Sequence, residues 1–161
     1  MIATRPARPS DAAAMCRLLN AIIAEGGSTA HRTPFDAAEM RRHYIAPPLG
    51  ISCTVALDGA EIVGFQALER ADPDWPGEDP LPEGWAVIAS FVARGRQGQG
   101  IGGRLFAATR AAARAAGIRH IDATIRRENT GGQAFYGRLG FTDHREGAET
   151  VSKRYDLGPV D

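Results

Sequence analysis

Four glycines within six residues, Gly98, Gly100, Gly102 and Gly103, separate the apolar run Trp85–Val92 from an alanine-rich helical pattern that begins at Ile101. No other segment limits the fold so tightly. Glycine lets the backbone turn at positive φ and brings bare N–H groups close to a ligand. A helix starting at the same place adds the positive end of its dipole. Strand, glycine turn and helix start together describe an anion site of the kind that holds phosphate or pyrophosphate. A turn that bound nothing would not need so many glycines, each of which costs conformational entropy on folding.

The patterns on either side supply the fold class. Ile2–Arg5 reads as a short strand, and Pro9-Ser10-Asp11 as a helix cap ahead of Met15, Leu18, Leu19, Ile22 and Ile23 at helical spacing, closed by Gly26-Gly27. Thr33-Pro34 predicts a second helix, with proline at its first position, running to about Ile45. Ile51–Leu57 and Glu61–Leu68 form a predicted hairpin about Asp58-Gly59. Ala71–Gly84, with four prolines, five acidic residues and no basic ones, is a loop. Trp85–Val92 is nearly all apolar and is expected to be a central strand buried on both faces. Ile101, Leu105, Ala108, Ala112 and Ala115 share one helix face before Gly117. His120–Ile125 is a strand, Asn129–Leu139 a helix stopped by Gly140, and Phe141–Arg145 and Thr150–Leu157 a closing pair of strands. The order is β-α-α-β-β-β-α-β-α-β-β, with no repeat and no linker, so one α/β domain is expected over residues 1–161.

Composition excludes some partners. Formal net charge is zero, which gives no overall pull toward nucleic acid or an anionic membrane. Cys16 and Cys53 lack metal-ligand spacing and read as small buried apolar residues, so no metal is expected. Met-Ile-Ala-Thr-Arg-Pro at the start has no apolar run of signal length, and no later run approaches a membrane span; the expected compartment is the cytoplasm.

Gly98-Gln-Gly100-Ile-Gly-Gly103 also satisfies the dinucleotide fingerprint G-x-G-x-x-G, and Asp122 lies 19 residues beyond Gly103. The surroundings oppose that reading. A dinucleotide fold needs further βαβ units after the fingerprint, whereas here a hairpin meander precedes it and little chain follows the helix. Asp122 also falls in mid-strand, away from a ribose at the strand end. The phosphate-loop pattern ending in Lys-Ser or Lys-Thr is absent.

Gln97-Gly-Gln-Gly100-Ile-Gly102 matches the pattern [QR]-x-x-G-x-[GA], and the chain thereby resembles the GCN5-related N-acetyltransferases at their acetyl-CoA signature. The likeness extends to Asn129-Thr-Gly-Gly-Gln-Ala-Phe-Tyr136-Gly-Arg-Leu-Gly-Phe141, similar to the family's second motif, and to Ile2–Asp11, similar to its first strand and helix cap. The resemblance covers nearly the whole chain. It implies a mixed, mostly antiparallel sheet splayed between the fourth and fifth strands. It also implies transfer of an acetyl group from acetyl-CoA to a primary amine, by direct transfer in a ternary complex, and allows a homodimer.

By that resemblance the backbone of Val92 would pair with pantetheine and help hold the acetyl carbonyl. The N–H groups over Gly98, Gln99, Gly100, Ile101, Gly102, Gly103 and Arg104 would wrap the pyrophosphate, with Gln97 bracing the turn and Arg104 adding charge. Asn129 would bond the pantetheine arm. Tyr136 would be the general acid that protonates the leaving thiolate, as well as a cofactor contact; spacing alone reads it first as an aromatic packed between helix and sheet, and the family motif turns the reading to the acid.

The general base is unmarked. Several relatives carry a glutamate in the strand before the turn, but Trp85–Val92 has no acid at all. Phosphinothricin-type acetyltransferases are similar in length yet have that acidic strand. Glu25, Glu83 and His120 remain as base candidates, each also readable as a solvated side chain. The loop acids Asp72, Asp74, Glu78, Asp79 and Glu83 would attract a cationic amine or simply face solvent. Trp75 and Trp85, and His31 and Tyr44, either line an acceptor pocket or pack. A small-molecule amine is the expected acceptor. A peptide or protein amine is the alternative, and a non-catalytic acyl-CoA-binding module is the reading outside enzymology.

Overall fold

Alternating and helical patterns resolve into β1 (Ile2–Pro6), α1 (Ala12–Glu25), α2 (Ala37–Met40), β2 (Gly50–Asp58), β3 (Glu61–Arg70), β4 (Trp85–Val92), α3 (Ile101–Ala115), β5 (His120–Arg126), α4 (Thr130–Leu139), β6 (Thr142–Glu146) and β7 (Thr150–Asp156) in the computed structural model, which describes residues 1–159. The strands make one sheet in the order β1-β2-β3-β4-β5-β7-β6. Every pairing is antiparallel except β4 with β5. That parallel pair is short: Trp85 faces His120, Ala86 faces Ile121 and Val87 faces Asp122, and there the pairing ends. From Ile88 onward the two strands part, which is the predicted splay.

Each face of the sheet carries its own helices. On one, Phe65 and Ala67 of β3 pack with Met15, Leu19 and Ile22 of α1 and Met40 of α2, joined by Ala89 and Phe91 of β4. On the other, Leu68, Ala86, Ile88, Ile121 and Ala123 pack with Phe106 and Ala113 of α3 and Tyr136 of α4. Alternate strand residues thus feed opposite layers. Gly64 shows how closely the second layer sits, since an added Cβ there would lie 3.0 Å from Ile101 and 3.1 Å from the Phe91 carbonyl. Met15, Leu19, Val55, Phe65 and Leu105 are fully buried, each contributing roughly 1.5–3 kcal/mol of transfer free energy.

The chain departs from its sequence pattern in five places. Helix α2 starts at Ala37, not at Pro34, because the Asp36 side chain accepts from the Glu39 N–H and so fixes the cap three residues later. It then continues as a π turn over Arg41–Ile45. The hairpin turn is Gly59-Ala60, with Asp58 already paired to Glu61; Gly59 at φ +62° supplies the left-handed residue. The buried face of α3 is Ile101, Leu105, Phe106, Thr109 and Ala113, while Ala115 is exposed. Asp11 does not cap α1. It turns back to accept from the Arg8 N–H at 2.7 Å and from both guanidinium arms of Arg5, at 2.7 and 3.0 Å. Strand β4 is buried on both faces only in its first half; Ala89–Val92 are half-exposed, and Ser90, Phe91 and Val92 border a cleft. Cys16 and Cys53 are both buried free thiols, and burial pushes Cys53 up to about 12.

Candidate active site

The parting of β4 and β5 opens a cleft of about 960 Å³. Ser90, Phe91 and Val92 form one wall, Gly98 to Gly103 one end, and Asn129 to Leu139 the other wall, with Glu25 to Ser28 at the mouth. Among the described residues no strand takes up the β5-facing edge of β4 beyond Val87, so its backbone groups there look into open space.

The glycine turn does three separate jobs. Gly98 at φ +82° and Gly100 at +77° take the left-handed conformation, and a Cβ on either would touch nothing. Gly100 is the residue that starts α3, leaving the first helical N–H groups without helical partners at the cleft. Gly103 lies in regular helix with empty space beside it, so the groove is open there. Gly102 differs. A Cβ there would overlap the ring of Phe135 on α4, so this glycine allows α3 and α4 to approach closely. Packing against Phe135 is thus a requirement on Gly102 in its own right.

Gln97 turns its amide oxygen to the Gly95 N–H at 3.1 Å and braces the turn from within. Gln99 is exposed and stands off the cleft wall. Arg104 points away toward the Ile2 carbonyl at 3.4 Å. Three other arginines line the cleft: Arg94, paired with Glu25 at 2.8 Å, Arg96, paired with Asp58 at 2.9 Å, and Arg138 of α4. Sequence reasoning missed Arg138, although its place seven residues after Gly131, four after Ala134 and three after Phe135 would have put it on their helix face. Asn129 caps α4 by accepting from the Gly132 N–H at 2.9 Å, and its amide donates to the Ser28 carbonyl at 3.0 Å. It therefore ties the loop after α1 to the cleft wall.

Tyr136 is buried in the second layer, and its hydroxyl donates to Ser90 Oγ at 2.9 Å. Gln66, wholly buried, donates its amide to the same oxygen at 2.8 Å. Ser90 itself lines the cleft, so Tyr136 meets the cleft through it. Burial pushes the phenol up to about 12, offset in part by the Ser90 bond, and Tyr136 keeps its proton at neutral pH.

The remaining candidates are scattered. Glu25 is at the cleft mouth but committed to Arg94. Glu83 is exposed in the acidic loop. His120 lies at the closed end of the β4–β5 pair, bound through Nδ1 to Asp156 at 2.7 Å. Trp75 is 55% exposed, whereas Trp85 is buried with its ring between His120 and His144. His31 shares a 2.6 Å hydrogen bond with Tyr44 and lies among Phe35, His43 and Phe91. Burial, with His43 nearby, lowers its pKa. The acidic loop folds toward β6, where Arg145 donates to the Asp79 carbonyl at 2.7 Å.

Residues 17–141 match the family model of the acetyltransferase (GNAT) family. No curated protein matches the sequence significantly. Among solved structures, the chain is similar to an N-acetyltransferase from Staphylococcus aureus Mu50, 18% identical over 98% of this chain and 99% of that one, with a TM-score of 0.78. It is similar to yncA of Salmonella typhimurium with its cofactor acetyl-CoA, 20% identical over 98% and 94%, TM-score 0.78. It is also similar to the ribosomal-protein-alanine N-acetyltransferase of Brucella melitensis, 19% identical over 96% and 99%, TM-score 0.75. At these identities the shared property is the fold.

Proposed function

The chain belongs to the acetyltransferase (GNAT) family, and from that premise we propose that it moves an acetyl group from acetyl-CoA to the primary amine of a small molecule, by direct transfer in a ternary complex. The observation that carries this reading is the cleft itself: an open strand edge, Ile88–Val92, leads directly into a left-handed glycine turn and a helix start.

The residues fit the donor. An extended amide-bearing arm would complete the β4 edge as a further strand, with Val92 and Asn129 beside it. The N–H groups from Gly98 through Gly103 and the positive end of α3 would hold a pyrophosphate, and Gly103 leaves the room it needs. Arg138 is the side-chain charge this wall adds. Acetyl-CoA supplies the acyl group as a thioester. Tyr136 holds a proton for the departing sulfur and delivers it at the Ser90 end of the cleft.

A small acceptor is favoured over a peptide by the mouth of the cleft. The loop after α1 is pinned across it by Asn129 to Ser28 and by Arg126 to the Thr29 carbonyl, at 3.0 and 3.3 Å. The test is an acceptor screen that follows thiol release from acetyl-CoA over panels of amines and peptides, with products identified by mass spectrometry. Turnover with small amines is expected. Turnover with peptides alone would reassign the acceptor, and tight acetyl-CoA binding without any turnover would make the chain a binding module.

A further inference from the structure

An amine gives up a proton as it is acylated, and β4 carries no acid to take it. A different acid–base pair stands where the β4–β5 pairing ends. Asp122 of β5 is the partner of Val87, the last pair before the strands part. Ala86 and Ile121, the preceding pair, point into the core under α3 and α4. The Asp122 side chain therefore points to the opposite face, the one on which Ala89 and Phe91 pack with α1. It is 3% exposed. One carboxylate oxygen accepts from the Thr124 hydroxyl at 2.8 Å, and the other is 2.7 Å from His144 Nε2.

His144 arrives there because β6 is bulged. The register shifts between Asp143 and Arg145, so His144 is the extra residue and its ring is re-aimed across β7 toward Asp122. The Trp85 ring stacks against it, with centroids 5.2 Å apart and planes at 29°. A carboxylate offers only lone pairs, so the hydrogen of this bond is on Nε2. Nδ1 is then the bare nitrogen, and among the described residues it has no partner.

We propose that His144, oriented by Asp122, is the general base of the acyl transfer, taking the amine proton at Nδ1 directly or through one water. The inference rests on the acetyltransferase reading above. As the C–N bond forms and the C–S bond breaks, the amine proton ends on Nδ1. The sulfur takes the proton held by Tyr136, and exchange with solvent resets both groups. Asp122 is a positioning residue that fixes the tautomer and stabilises the imidazolium, the division of labour of a base and its orienting acid. Apart from Asp122, the charged groups around the neighbouring Trp85 ring are Arg154 of β7 and, bound to it or to each other, Asp156 of β7 and His120 of β5; Arg145 of β6 is engaged with the acidic loop.

The test uses the full chain and whichever amine of the acceptor screen is turned over. Failure of the wild type on every amine and peptide would overturn the acetyltransferase reading and this base with it. Given turnover, His144→Gln is expected to lower kcat by about 10²–10⁴-fold, with acetyl-CoA binding unchanged. The acid limb of the pH profile should flatten and added imidazole should restore part of the rate. Asp122→Asn should shift that limb. Unchanged kcat in His144→Gln, or a loss equal at every pH without imidazole rescue, would overturn the base while leaving the acetyltransferase reading intact. Nitrogen-15 spectra of the wild-type imidazoles give a readout that no variant's folding can disturb: hydrogen on Nε2 of His144 supports the pair, and hydrogen on Nδ1 alone overturns it.

Discussion

Single residues carry their consequences through what they touch. Tyr136 reaches the cleft only by way of Ser90, so removing its hydroxyl takes away a proton donor and leaves the cleft walls in place. Tyr136→Phe is expected to reduce kcat by about 10²-fold or more, with acetyl-CoA affinity nearly unchanged by calorimetry; an unchanged kcat would remove Tyr136 from the chemistry. Asp11 is a stability residue. Its hydrogen bonds from Arg5, with that from the Arg8 N–H, hold its pKa below the usual carboxylate value against the opposing effect of burial. A group whose pKa falls on folding stabilises the fold above its unfolded pKa and loses that contribution as pH drops through the folded value. Asp11→Asn should cost about 1.5–3 kcal/mol in denaturant melts at neutral pH. The gap to wild type should shrink below about pH 4, where the unfolded carboxyl also binds a proton. A gap that stayed constant into strong acid would mean that the ion pair contributes nothing.

Elements meet through the glycine turn, and two neighbouring glycines separate its structural from its binding duties. Gly102→Ala drives a methyl into Phe135 and must push α4 off α3, which should cost about 1–3 kcal/mol. Gly103→Ala meets open space in regular helix and should cost nothing, or stabilise by about 0.4–1 kcal/mol through the unfolded chain. If the groove holds pyrophosphate, Gly103→Ala should nonetheless weaken acetyl-CoA binding. Thermal melts and calorimetry on the two variants give opposite rankings for stability and affinity; equal losses of both in each would refute the separation. This contrast also marks what the sequence could reveal. The turn was legible because its signal is local: composition, spacing and the change of period occur within a few residues. The partner of Gly102 lies on another helix, and no spacing rule announces it. Helix α2 was misplaced because Pro34 satisfies one local rule and Asp36 a stronger one. His144 was invisible as a site residue because its role depends on a bulge in β6 and on a carboxylate two strands away in the sheet.

At the scale of the whole molecule, strand order turns a phosphate turn into a particular kind of site. The meander β1 to β4 is antiparallel and only the β4–β5 step is parallel, so one gap opens at that step and the α3 start points into it. The element order that implied this architecture was read from periodicity, since the central strands and both long helices bury clear faces. A site formed by parting strands joins two halves of the sheet that otherwise meet through three residue pairs. A donor that fills the gap should therefore stabilise the entire fold and not only the turn. At a ligand concentration of 100 times Kd, binding to the native state alone adds about 2.7 kcal/mol. For a chain of this length each kilocalorie is worth roughly 2–4 °C, so acetyl-CoA should raise Tm by about 5–11 °C. NAD, which shares the pyrophosphate but presents no pantetheine to the open edge of β4, should give a much smaller shift at equal concentration. Amide exchange should show the protection gained at both Ile88–Val92 and Gly98–Gly103. An equal response to NAD, or protection confined to the glycine turn, would mean that the turn binds phosphate without the strand gap taking part, and the dinucleotide alternative would return.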